Sequence, residues 1–148
     1  MATKYGGYMG KVLKIDLTTK EVSEYPFSDR ERELFIGGKT MAAKILGDHL
    51  KGTEKAFSED NLLVITTGPL TGTGAPSASR FNVSTLSPQT GYITSSNCGG
   101  HFGYYLKKAG LDGLILTGQC EEKTWIEIQN DNVLFHSCLL YTSDAADE

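Results

Sequence analysis

Leu62-Leu-Val-Ile-Thr-Thr-Gly-Pro-Leu-Thr-Gly-Thr-Gly-Ala-Pro76 is the stretch on which the fold of this chain turns. Its first six residues form a continuous, β-branched apolar run, which predicts a strand buried within a sheet. The next nine are punctuated by glycine and proline and predict a loop leaving the end of that strand. Downstream, Arg80-Phe-Asn-Val-Ser-Thr85 and Gly91-Tyr-Ile-Thr94 alternate apolar with polar residues, as strands do. Asn97-Cys-Gly-Gly100 then leads into a short helix from about His101 to Ala109, with Gly110 as its stop. Residues 114–117 and 125–128 predict two further strands, and Asn130-Asp-Asn132 turns the chain into residues 133–135.

Upstream, Leu13, Ile15 and Leu17 alternate with Lys14 and Asp16, predicting a strand followed by a turn at residues 18–21 and a partner strand over 22–27. Asp29 is read as the N-cap of a short helix reaching about Leu34, closed by Gly37 and Gly38. A second helix is predicted from Thr40 to about Leu50, where Met41/Ile45 and Ala42/Leu46/Leu50 repeat at four-residue spacing on one face. Many strands, few short helices and hairpin connections together predict an α+β domain with largely antiparallel β-sheets.

The 148 residues suit a single core. Hydrophobic residues at 39% and charged residues at 22% fit a globular protein rather than a disordered or membrane-embedded one. No apolar run approaches the roughly 20 residues that span a bilayer, and the start lacks an apolar leader, so a cytoplasmic location is expected. The net charge of −4 comes with no stripe of Lys or Arg, which gives no support to a nucleic-acid partner. Cys98, Cys120 and Cys138 are widely spaced and form no C-x-x-C pair, so reduced, mostly buried thiols are expected rather than a zinc or iron–sulfur site.

Three short motifs invite readings that fail. Gly37-Gly-Lys-Thr40 resembles the end of a phosphate-binding P-loop, but Glu33 stands where the motif's first glycine belongs. Gly72-Thr-Gly74 begins a dinucleotide fingerprint, but Ser77 replaces its last glycine. Asn82-Val-Ser84 matches a glycosylation acceptor, which has no meaning in a chain that is not secreted. His49, His101 and His136 have no acidic or serine partner at a telling spacing and are read as surface or satisfied histidines; His101 alone, just after a glycine pair, is kept open as a ligand-facing residue.

Between Gly68 and Gly103 the chain is rich in glycine, proline and small hydroxyl residues set between strands. Small residues let backbone amides approach a bulky anion, and Arg80 directly after such a loop has the planar fork that clamps phosphate or a heterocycle. The residues by themselves leave this reading level with a simpler one, tight turns in a β-rich domain.

Gly68-Pro-Leu-Thr-Gly-Thr-Gly-Ala-Pro76, Ser79-Arg-Phe-Asn-Val83, Ser87-Pro-Gln-Thr-Gly-Tyr-Ile-Thr94 and Asn97-Cys-Gly-Gly-His-Phe-Gly103 together resemble the signature run of the aldehyde:ferredoxin oxidoreductase family. Lys107-Lys-Ala-Gly-Leu-Asp-Gly-Leu-Ile115 continues it, and Gly10-Lys-Val-Leu-Lys-Ile-Asp-Leu-Thr-Thr19 and Phe35-Ile-Gly-Gly38 are similar to the family's opening. The resemblance runs in order from Gly7 to about His136. It implies the N-terminal domain of that family, a base of two β-sheets related by a pseudo-twofold, carrying a tungsten bis-pyranopterin (tungstopterin, a molybdopterin-type cofactor). It further implies that Arg80 contacts the pterin, that Asn97 offers its main-chain carbonyl to a magnesium ion bridging the pterin phosphates, and that the backbone of Gly99 lies against the cofactor. The implied activity is oxidation of a small aldehyde to a carboxylic acid, with ferredoxin as electron acceptor. The implied [4Fe–4S] cluster belongs to the full-length enzyme, where homo-oligomers are also expected, and no catalytic residue is assigned here. Two other readings accompany it: the tungsten subunit of an enzyme resembling benzoyl-CoA reductases, and a non-catalytic β-rich binding module. Cys98 stands where serine is frequent in the family, and Lys39-Thr40 replaces a usual Arg-Gly pair, so the subfamily and substrate stay open.

The final residues, Cys138-Leu-Leu-Tyr-Thr-Ser-Asp-Ala-Ala-Asp-Glu148, resemble a translated sequencing-library adaptor. On that reading residues 1–137 are an incomplete, truncated cofactor-binding domain and residues 138–148 an appended tail.

Overall fold

A computed structural model describes residues 3–130 and 132–138. The tail expected over 138–148 lies, apart from Cys138, outside the described residues. Eight strands and three helices follow in the order β1 (Val12–Asp16), β2 (Val22–Tyr25), α1 (Asp29–Phe35), α2 (Gly38–His49), β3 (Leu63–Thr67), β4 (Phe81–Leu86), β5 (Ile93–Cys98), α3 (Phe102–Lys108), β6 (Gly113–Thr117), β7 (Thr124–Gln129) and β8 (Asn132–Ser137). Six strands make one sheet in the order β2-β1-β6-β3-β4-β5, and β7 pairs with β8 in a separate hairpin. All pairings are antiparallel except β1 with β6, which run parallel with Val12 opposite Gly113.

The central strands β3 and β6 carry the continuous apolar runs Leu63-Val-Ile65 and Leu114-Ile-Leu116 because both faces of the sheet are covered there. Successive side chains on a strand point to opposite faces. Val12, Val64 and Ile115 accordingly join Met41, Ala42, Ile45 and Leu46 of α2 in one core cluster. Their neighbours Leu13, Ile65 and Leu114 turn the other way, to Leu106 of α3, Leu111 and the β7–β8 residues Ile128 and Val133. The four-residue spacing read from the α2 sequence is therefore the face that is buried. Leu63 departs from the fully buried reading of its strand and is partly exposed.

Local chemistry corrects two of the expected boundaries. The N-cap of α1 is Ser28, whose hydroxyl accepts from the Glu31 amide while the Glu31 carboxylate accepts from the Ser28 amide. Asp29 is the first helical residue instead, and its carboxylate accepts from Thr3 and from buried Arg32. These contacts, led by the Thr3 hydroxyl, hold the Asp29 carboxyl below the ordinary carboxylate range. Strand β5 also runs on through Asn97 and Cys98, pairing with β4 over six residues, where the sequence reading ended it near Thr94.

Gly113 marks where β6 and β3 come too close for a side chain. A Cβ there would stand 2.8 Å from the Ile65 carbonyl oxygen and 3.3 Å from Thr66 Cγ2. Gly113→Ala is expected to destabilise the chain by about 1–3 kcal/mol, because backbone oxygen in the middle of a sheet has nowhere to retreat. A urea unfolding midpoint equal to wild type would contradict this.

Candidate functional site: a positively charged cleft at the end of β3

The loop leaving β3, the joint between α1 and α2, and the adjoining ends of β4 and β5 enclose a cleft of about 500 Å³. Its wall begins at the α1–α2 joint, where Ile36 and Gly38 both have φ near 55°. A β-branched residue in this region carries a cost of about 1–3 kcal/mol, so tertiary contacts must hold it there. One is the Tyr8 hydroxyl, which donates to the Ile36 carbonyl at 2.6 Å. Another is Thr66, buried on β3, whose hydroxyl donates to the Gly38 carbonyl at 2.9 Å. Gly37 is needed for the close approach itself, since a Cβ would lie 2.7 Å from the Thr67 carbonyl oxygen.

The opposite wall is the 68–76 loop together with the residues leading into β4. Buried Thr71 accepts from the Gly68 amide and donates to the Arg80 carbonyl at 3.0 Å, closing the loop onto the start of β4. Ser77, with φ 57°, completes this wall. Arg80 is exposed, lines the cleft and is the one charged side chain among its lining residues. No ion pair neutralises it among the described residues, so the cleft carries an open positive charge suited to an anion.

Asn97 joins Arg80 in the lining from strand β5. The structure thus brings together two of the three residues singled out from sequence. Gly99 lies just beyond β5, outside the lining, and a Cβ added to it meets nothing within 4 Å. The expected lead from residues 97–100 into a helix is shorter than read, since Asn97 and Cys98 belong to a strand and α3 starts at Phe102.

Two polar features escaped the sequence reading. Asn82 is 1% exposed, at the back of the cleft between β3 and β5, so the Asn82-Val-Ser84 acceptor pattern is buried and closed to glycosylation. Lys107 and Asp112 form a buried ion pair at 2.5 Å. Lys107 also donates to the Gly7 carbonyl, and Asp112 accepts from the Met9 and Gly10 amides. The Asp112 carbonyl accepts from both the amide and the hydroxyl of Thr67, which ties this centre to the strand end where the cleft begins. Burial pushes the neighbouring Tyr8 phenol up, and the Asp112 carboxylate adds to it.

The remaining sequence candidates stand apart from the cleft. The cysteines are free thiols as expected, but Cys98 and Cys138 are exposed and Cys120 is half-buried, which corrects the buried reading. No cluster of three or more metal-ligating side chains occurs among the described residues. His136, read as lacking an acidic partner, stacks on Trp125 and lies 2.8 Å from the Glu127 carboxylate, because the hairpin register sets Trp125 directly opposite His136 and Glu127 diagonally beside it. His101 contacts Tyr105 and is not in the cleft lining. No helix among the described residues is long and apolar enough to cross a membrane.

Residues 12–144 match the family model described as aldehyde ferredoxin oxidoreductase, N-terminal domain. The chain belongs to this family. Among curated relatives of the domain, the tungsten-containing aldehyde ferredoxin oxidoreductase of Thermococcus kodakarensis is 40% identical over 129 residues, covering 87% of this chain and 21% of that protein. The aliphatic sulfonate oxidoreductase WOR-like subunit of Pyrococcus furiosus is 34% identical over 137 residues, covering 90% of this chain and 22% of that subunit. A solved structure, the active-site complex BamBC of benzoyl coenzyme A reductase with 1,5-dienoyl-CoA, superposes with a TM-score of 0.86 at 37% identity, covering 89% of this chain and 20% of that one. The chain thus spans about a fifth of the length of its relatives. The α+β architecture expected from sequence is the fold observed. These relatives are named for three different substrates.

Proposed function

We propose that this chain is the tungstopterin-binding portion of an oxidoreductase that oxidises aldehydes to carboxylic acids with ferredoxin as electron acceptor. The observation that carries the reading is the cleft in which Arg80 is, among the described residues, the one charged lining side chain and has no ion-pair partner, with Asn97 beside it. Its volume of about 500 Å³ falls in the range of cofactor sites, and the absence of carboxylates from its lining fits an anionic, phosphate-bearing group. The open space over Gly99 fits a ligand lying on the backbone there.

When bound, the cofactor supplies two-electron redox chemistry at its metal. The chain's own residues bind and orient it. Arg80 places a planar, permanently charged donor fork against the anionic ligand. Asn97 would offer its main-chain carbonyl to a magnesium ion, and Gly99 would keep the approach open. No residue here is assigned to proton transfer or to a [4Fe–4S] cluster, and the reading places those roles in other parts of the longer enzyme.

Arg80→Ala is expected to cut tungsten and pterin content of the holoprotein, through an affinity loss of roughly ten- to a hundredfold, the value of a charge-assisted hydrogen bond. Metal is measured by mass spectrometry and pterin by fluorescence of its oxidised form. Full occupancy in this variant would sink the assignment. A second reading, a tungsten subunit resembling that of benzoyl-CoA reductases, is favoured by the structural match at TM-score 0.86. Turnover of an aromatic coenzyme A thioester without aldehyde oxidation would select it.

A further inference from the structure

We propose that the Asn97 side chain is a hydrogen-bond donor to an anionic oxygen in the cleft, held in that orientation from behind by Asn82. The proposal rests on the cleft being an anion site, and it adds a side-chain role to a residue otherwise assigned only a main-chain contact.

The argument starts at an atom that has one possible role. The Ser96 carbonyl oxygen can only accept, and it lies 3.2 Å from Asn82 Nδ2. The nitrogen of the Asn82 amide must therefore face β5. Its oxygen faces the other way and accepts from the Ser84 hydroxyl at 2.6 Å. That same Asn82 nitrogen lies 3.1 Å from the Asn97 amide, so the Asn97 atom facing it is Oδ1. Turning Asn97 over would set two NH2 groups against each other at hydrogen-bond distance. Asn97 Nδ2 consequently points away from Asn82 and has no hydrogen-bond partner among the described residues.

Burial makes this orientation firm. Asn82 is 1% exposed and Ser84 2%, on a strand covered by α2. A buried amide left half-satisfied is costly, so the four polar groups from Ser84 to Asn97 form one consistent set of donors and acceptors. Asn97, at the exposed end of the set, presents its NH2 group beside the same cleft that Arg80 lines. Two donors and no carboxylate select a ligand rich in acceptors, such as a phosphate.

The test is a titration of the 148-residue chain with inorganic phosphate, followed by NMR of the Asn97 side-chain NH2 and the Arg80 Nε–H. Both signals are expected to move along one binding curve. Asn97→Ala takes one acceptor from the buried Asn82 amide and is expected to lower the unfolding midpoint while the chain stays folded, and to bind phosphate about ten- to a hundredfold more weakly. Asn82→Asp replaces the donating amide by a carboxylate, and is expected to shift the Asn97 NH2 signal of the free chain and weaken phosphate to a similar degree. If that variant unfolds, Asn97→Ala alone decides. Movement of Arg80 with a stationary Asn97 and unchanged binding by Asn97→Ala overturns this inference and leaves the anion cleft standing. If neither signal moves, the anion cleft fails with it.

Discussion

Lys107→Ala is expected to lower the stability of the chain by about 3–5 kcal/mol, the loss typical when one partner of a buried ion pair is removed. The side chains of Lys107 and Asp112 are 3% and 1% exposed, so water does not replace the missing ammonium. The Gly7 carbonyl would lose its donor at the same time. The usual remedy for a buried ion pair, replacing both partners by apolar residues, is expected to fail here. In Lys107→Met/Asp112→Leu the Met9 and Gly10 amides would lose their acceptor, and a buried orphan amide costs about 1–3 kcal/mol. The pair is thus a junction joining the N-terminal segment, α3, β6 and the end of β3. Urea unfolding of the single and double variants measures this, and a double variant as stable as wild type would show the ion pair to be replaceable packing. The cleft should open with the junction, because the Tyr8 contact to Ile36 depends on the same segment.

Gly99→Val is expected to abolish cofactor occupancy while leaving the fold untouched. Within the chain a Cβ at this position meets nothing within 4 Å, and no left-handed φ demands glycine there. Contrast Gly7, where φ is +87° and a Cβ would stand 2.4 Å from the Pro69 carbonyl oxygen. The fold explains the glycine at 7 and offers no internal reason for the one at 99. Under the proposed function the reason would be a pterin against the Gly99 backbone, which an isopropyl group would exclude. The two measurements are an unchanged unfolding midpoint and a tungsten and pterin content near zero. A Gly99→Val holoprotein with full cofactor would remove Gly99 from the site.

Most elements were legible in the sequence because their signals are local. The β-branched run at residues 62–67, the four-residue spacing from Met41 to Leu50 and the glycine stop after α3 each involve neighbours within a turn or a strand. The cleft was half legible. Arg80 and Asn97 stand out by residue type beside glycine-rich turns, and their order along the chain matches a family pattern. Asn82 did not stand out, because a polar residue in an alternating strand reads as facing solvent. Here α2 covers that face and makes the amide a buried one.

What the sequence by itself determined is therefore the set of helices and strands, the α+β class and the family, all carried by short-range pattern and ordered motifs. The tertiary structure decided which strands are neighbours, placing β1 parallel to β6 although some hundred residues separate them. It also decided which polar groups are buried. Lys107 and Asp112 pair beneath Gly7, and Asn82 reaches Asn97, only because strand order folds distant backbone amides and carbonyls onto them. Burial and partner choice depend on the whole packing, and a polar side chain carries no mark in the sequence of whether water or protein will satisfy it.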